Sequence, residues 1–235
     1  DIARVEAGLI LIDVDYVPAH HAVIEDRKSS PFELGLGWAV KLRQNTPFLG
    51  REALAKRRIG LGVTGLADAL IMCGQRYGSK KAAKLARKWM ALIERAAYLA
   101  PAELGSQKGA FPLFDEKEYM SAPHIERLDK DVRKTISALG LRNGLLTSIA
   151  PTGTISLLAG NVSSGVEPVF DTQYTRRVLG KDGERTAQRV EDYAYRLFSH
   201  MFGDDARLSE NFVTTADLNP DDHLAMQAAL QAHVD

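Results

Sequence analysis

Residues 145–160 read LLTSIAPTGTISLLAG: an apolar run, a turn led by Pro151, then Thr152-Gly153-Thr154 opening a second apolar run. If that second run is helical, its first N–H groups lack intrahelical partners and carry partial positive charge. Glycine there lets an anion approach the backbone, and threonine or serine hydroxyls add donors. Ala150, Pro151, Thr152, Gly153, Thr154, Ile155 and Ser156 are therefore the candidate phosphate-binding turn. Spacing alone equally allows Thr152 or Thr154 to be a plain helix cap. It does not match GxxxxGK[ST], so a generic nucleotide triphosphatase is not implied. The polar stretch that follows is expected to place Asn161, Ser163, Ser164 and Gly165 near the same ligand.

Other residues with chemical potential carry less. Gly60, Gly62 and Gly65 match GxGxxG, but the residues before them are charged and helix-like, and position 85, where an acid should hold a ribose, is leucine. Close packing of a helix against its neighbours is the simpler expectation for these glycines. The single cysteine, Cys73, ends an apolar stretch and is expected to be a packed core thiol. One cysteine makes neither an internal disulfide nor a cysteine-built metal site. The six histidines lack ligand spacing such as HExxH, so no metal is expected. No catalytic residue is assigned from spacing.

The elements that must position the turn are mostly helical. Residues 60–74 suggest a buried helix. Ser79 is placed to cap the next one, in which Ala82, Leu85, Ala86, Trp89, Ile93 and Ala96 recur at helical spacing. Its other face carries Lys80, Lys81, Lys84, Arg87 and Lys88. With no interleaved aromatics, this reads as a solvated face and not a nucleic-acid patch. Ile125 to Leu139 and Val190 to Met201 repeat the helical period. Asn219-Pro220-Asp221-Asp222 starts a last helix expected to reach His233. Residues 145–149 and 166–170 have strand character, and residues 1–56 suggest short strands and loops. The fold class expected is α/β and mostly helical.

Thirty basic residues balance thirty acidic ones, so no overall field gathers nucleic acid or an anionic membrane. No apolar run approaches a membrane span, and the first residues are not a signal peptide. A cytoplasmic protein with a trimmed start is the expectation, with neither nucleic acid nor membrane as partner.

Several runs together resemble an adenosylcobalamin-dependent ribonucleotide reductase: RRIGLGVTGLADALI at 57–71, APTGTIS at 150–156, NVSSGVEPVF at 161–170, YTRRVL at 174–179 and FVTTADLNPDDHLAMQAALQAHVD at 212–235. The resemblance implies that residues 57–235 are part of an α/β catalytic barrel, that residues 150–156 bind the phosphates of a ribonucleoside di- or triphosphate, and that adenosylcobalamin is the family's cofactor. It also implies radical chemistry on a cysteine within an Asn-Pro-Cys-Gly-Glu segment. That segment is absent here, and Cys73 lacks its partners. The chain alone is therefore expected to be inactive, and cobalamin binding by it is not expected.

The first part resembles a different family. RVEAGLILIDVDY at 4–16, SPFELGLGWAVKL at 30–42 and FLGREAL at 48–54 look like the glycine cleavage T-protein and its aminomethyltransferase relatives. This implies a short α+β segment over residues 1–56, with the two families meeting near residue 57. That family's catalytic aspartate would lie upstream of Asp1, and tetrahydrofolate is not expected to bind. The alternatives to a reductase fragment are thus a fragment of a tetrahydrofolate-dependent aminomethyltransferase, or a noncatalytic module whose exposed barrel edge pairs with another chain, as in a homo-oligomer.

Overall fold

The computed structural model describes residues 55–179 and 184–235. The aminomethyltransferase-like segment lies, but for its last residues, outside the described residues.

The chain is organised around one long helix. Ser79 is extended, and its side chain accepts the Ala82 N–H at 3.1 Å, so a helix starts at the lysine-rich segment as its sequence promises. Numbered in chain order, the short helix before it, Leu66–Met72, is α1 and the long helix itself, Lys80–Lys108, is α2. At 1.5 Å per residue α2 is about 43 Å long. Its buried stripe runs Ala82, Ala86, Met90, Glu94, Tyr98 and Ala102, each four residues from the last. The lysine-rich face is exposed, as expected.

Two cores form along that stripe. The first joins Ala82, Ala86 and Met90 to Leu66, Leu70 and Ile71 of α1, to Val166, Val169 and Val213, and to Met226 and Leu230. The last pair lies on α8, Pro220–Gln231, which starts with a complete capping box between Asn219 and Asp222. The second core joins Tyr98 and Ala102 to Phe111, Ile125, Leu128, Val132, Ile136, Leu141 and Leu146. Each fully buried leucine or isoleucine stabilises the fold by about 1.5–3 kcal/mol relative to exposure.

The remaining elements are short: α3, Glu116–Met120; α4, Pro123–Glu126; α5, Lys130–Leu139; α6, Gly153–Leu158; and α7, Tyr193–Phe202. Strands β1, Gln173–Leu179, and β2, Arg185–Glu191, pair antiparallel with Gln173 opposite Glu191. Among the described residues this hairpin is the only regular sheet, so no closed barrel is formed there. No helix of the described residues is long and apolar enough to cross a membrane.

Several expectations need correction. Residues 60–74 are not one helix: α1 starts only at Leu66, because the backbone before it pairs with the stretch after Gly144. The helical period over 125–139 is split into α4 and α5, with Asp129 extended as a fresh N-cap. Val190 belongs to β2, and Asp192 restarts the chain as α7. Residues 166–170 form only a single parallel bridge, Val169 to Thr214. The last helix stops at Gln231. Cys73 is exposed at the C-cap of α1, since the helix turns its apolar face away there.

Candidate functional site

Three separate stretches meet at the candidate turn. Residues 59–62 run parallel to residues 145–148: Ile59 N–H donates to the Leu145 carbonyl, Leu61 N–H to Leu146 and Ser148 N–H to Leu61, at 2.8–3.0 Å. A Cβ on Gly62 would stand 3.2 Å from the Ser148 carbonyl, so a side chain there would force the two stretches apart. Gly60 and Gly62 thus serve the packing of two extended segments, whereas Gly65, at φ 74°, is the N-cap of α1 and packs on Val162.

The third stretch is the 161–165 loop, and Ser163 is its anchor. Its carbonyl accepts from Gly65 N–H (2.8 Å) and the Thr64 hydroxyl (3.1 Å), its hydroxyl accepts from Ala67 N–H (3.1 Å), and its own N–H donates to Asp68 Oδ2 (2.7 Å). Ser163 is therefore a cap for α1 delivered from ninety-odd residues away, and its hydroxyl is turned from the surface. Asn161 is likewise committed, donating to the Glu191 carbonyl and accepting from the Tyr174 hydroxyl, each at 2.9 Å, which ties the hairpin to the loop.

The turn itself is held from within. Thr152 adopts the left-handed conformation (φ 50°), its hydroxyl accepting Gly165 N–H at 2.6 Å and donating to the Thr64 hydroxyl at 2.9 Å. Gly165 has φ 52°, and a Cβ there would sit 2.5 Å from the Ala150 carbonyl, so only glycine closes this contact. Ser156 is buried, donating to the Gly153 carbonyl at 2.9 Å with the Ser164 hydroxyl 3.2 Å away. Of the expected donors, Thr152, Ser156 and Ser163 thus build the turn. Pro151, Gly153, Thr154 and Ile155 form its exposed surface, with Ala150 and Ser164 partly buried. No side chain caps the N-terminus of α6, and a Cβ on Gly153 would meet nothing within 4 Å. The start of the helix is left open to an approaching group.

It opens on a polar cavity of about 560 Å³, lined by Gly153, Thr154 and Ser164 together with Tyr174, Arg176 and Arg177 of β1. The carboxylates of Glu167, Asp171 and Asp192 also line it. Neither Arg176 nor Arg177 has a partner among the described residues. Sequence reasoning assigned the hairpin arginines no role, although the adjacent pair in YTRRVL was the available signal. Burial, and then the neighbouring Asp68 charge, push the Asp192 carboxyl up to about 7. Among the described residues no group of three or more metal-binding side chains converges.

The site thus combines an uncapped helix start, a turn closed by a glycine contact and a strand whose two arginines line the same cavity. The chain belongs to the ribonucleotide reductase barrel-domain family, whose pattern it matches over residues 39–235, starting 18 residues before the junction expected at residue 57. It is 35% identical over 206 residues to the vitamin B12-dependent ribonucleoside-diphosphate reductase of Mycobacterium tuberculosis, covering 80% of this chain and 27% of that protein. The protein of the same name from Thermoplasma acidophilum is 30% identical over 195 residues, with 76% and 23% covered. Subunit alpha of ribonucleoside-diphosphate reductase 1 from Escherichia coli is 31% identical over 183 residues, with 69% and 24% covered. The chain spans about a quarter of the length of these relatives.

Proposed function

We propose that this chain is the substrate-phosphate segment of an enzyme that reduces ribonucleoside diphosphates to deoxyribonucleotides. The observation that carries the reading is the uncapped start of α6 at the mouth of a polar cavity faced by Arg176 and Arg177. The open N–H groups of Gly153, Thr154 and Ile155 would receive phosphate oxygens, with Thr154 adding a hydroxyl. Thr152, Ser163 and Gly165 would hold the turn in place, and the hairpin arginines would offset the ligand's remaining charge. The diphosphate form is favoured by the names of the relatives.

Adenosylcobalamin belongs to this reading as the source of the radical in B12-dependent relatives. The described residues do not by themselves fit it. The cavity is of a size for one nucleotide-scale ligand, and Cys73, the chain's one thiol, sits exposed at a helix end in the run Met72-Cys73-Gly74, which does not carry the Asn-Pro-Cys-Gly-Glu pattern. The chain alone is therefore expected not to turn over substrate. A cytoplasmic setting belongs to the same proposal. So does a distinct segment over residues 1–56, although a family match beginning at residue 39 favours a boundary nearer the N-terminus.

The test is calorimetric titration of the folded chain with a ribonucleoside diphosphate, beside the variants T154A and G153A. Binding that weakens in both variants supports the phosphate turn. A well-folded chain that binds no ribonucleoside diphosphate, or binds it equally in all three forms, sinks the assignment.

A further inference from the structure

Asp68 on α1 and Asp192 at the start of α7 are the most deeply buried carboxylates among the described residues, 1% and 3% exposed. They converge on one donor: Ala194 N–H lies 3.0 Å from Asp68 Oδ1 and 3.1 Å from Asp192 Oδ1. No cation pairs with either carboxylate among the described residues. The surrounding charged and titratable groups are engaged elsewhere or face the cavity. From α7, Arg196 donates to the Gly160 carbonyl and lies over the Tyr193 ring, and the Tyr195 hydroxyl meets Gln173. From β2, Glu191 is held by Arg189. From β1, the Tyr174 hydroxyl meets Asn161, while Arg176 and Arg177 line the cavity, as do Glu167 and Asp171. Asp68 is the only titratable residue of α1, and residues 161–165 contain none.

Asp192 Oδ1 also accepts the Tyr195 N–H at 3.2 Å, yet two ionised carboxylates in so buried a place, sharing the Ala194 N–H and with no cation beside them, repel strongly with little water to screen them. The other oxygen of Asp68 accepts the Ser163 N–H at 2.7 Å, and Ser163 in turn caps α1. A force on Asp68 therefore reaches the 161–165 loop, the same loop whose Gly165 clasps Thr152. We propose that Asp68 and Asp192 hold one proton between them and act as a positioning pair, their shared proton keeping the 161–165 wall of the cavity against α1. The proton exchanges with solvent through the cavity that Asp192 lines. Loss of the proton leaves two charges flanking the shared Ala194 N–H and loosens the loop. This goes beyond the phosphate reading and does not depend on which ligand the cavity holds.

The test uses the full chain without nucleotide, its aspartates labelled with carbon-13 at the carboxyl and followed by NMR from about pH 4 to pH 9. One aspartate is expected to titrate near pH 7. The signal should vanish in D192N and move down by at least about one pH unit in D68N, which removes the repelling charge. Asparagine is itself a good N-cap, so D192N retains the start of α7 and should fold. Amide exchange at Ser163 should be faster in the wild type than in D192N above pH 7, by about tenfold, and equal in the two below pH 5. The pair is overturned if every aspartate titrates below about pH 5, if a neutral-range titration survives D192N or ignores D68N, or if Ser163 exchange does not separate the two proteins. Because no nucleotide is present, these outcomes are distinguishable from a failure of the phosphate assignment.

Discussion

The hydroxyl of Thr152 accepts the Gly165 N–H at 2.6 Å while donating to the Thr64 hydroxyl, so one side chain joins the turn, the loop and the approach to α1. Its role differs from that of Thr154, two residues on and exposed.

That difference is measurable. T152A should lose about 1–3 kcal/mol of stability in denaturant unfolding, because a buried N–H loses its acceptor. T154A should stay within about 0.5 kcal/mol. T152S should recover much of the loss, since the oxygen is retained.

Two glycines of the site should behave oppositely. G165A places a Cβ on the Ala150 carbonyl at a left-handed φ and should cost about 2–5 kcal/mol. G153A meets open space and should change stability by less than about 1 kcal/mol. On the phosphate reading G153A still weakens nucleotide binding, because the methyl group lies where the ligand approaches.

The hairpin arginines should act on binding and not on folding. The double variant R176A/R177A should weaken ribonucleoside diphosphate binding by about five- to thirtyfold and flatten its salt dependence, with thermal unfolding unchanged. Affinity indifferent to both arginines would remove β1 from the site.

Stability should bend with pH in two directions. The folded Asp192 carboxyl is raised to about 7 from 3.8, so its contribution is fully present below the unfolded value and is lost as pH rises toward 7. D192N should flatten that decline. Glu94 behaves in the opposite sense. Burial alone would raise its carboxyl, but His124 (Nε2 at 3.0 Å) and His233 (Nδ1 at 2.7 Å) outweigh it and hold it below 4.5. Its contribution is present above 4.5 and lost as pH falls through the lowered value, and E94Q should make the acid limb of the unfolding curve shallower.

The parts legible in the sequence were those written locally. Ser79 and Asn219 announce α2 and α8 because a cap needs only its own next few residues. Residues 60–64 read as helical because apolar residues and glycines there obey no strand alternation. What makes them extended is a partner more than eighty residues away, in the 145–148 stretch. The hairpin went unseen for a different reason: β2 is exposed along most of its length, so there is no buried face for periodicity to reveal. The candidate turn was legible in position but not in the division of labour. TGTIS shows hydroxyls, and only the fold shows that Thr152 and Ser156 spend theirs inward. Glu94 was hidden on the apolar stripe of α2 because its two histidines lie 30 and 139 residues further on.

The stripe of α2 carries one more consequence. Met90 belongs to one core and Tyr98 to the other, with Glu94 at the seam between them. A residue inserted between Met90 and Tyr98 would turn one half of the molecule about 100° relative to the other. The helix therefore sets the phase of the two halves, and its length there can drift over evolutionary time only in steps close to whole turns, while the loops around it remain free to lengthen by single residues.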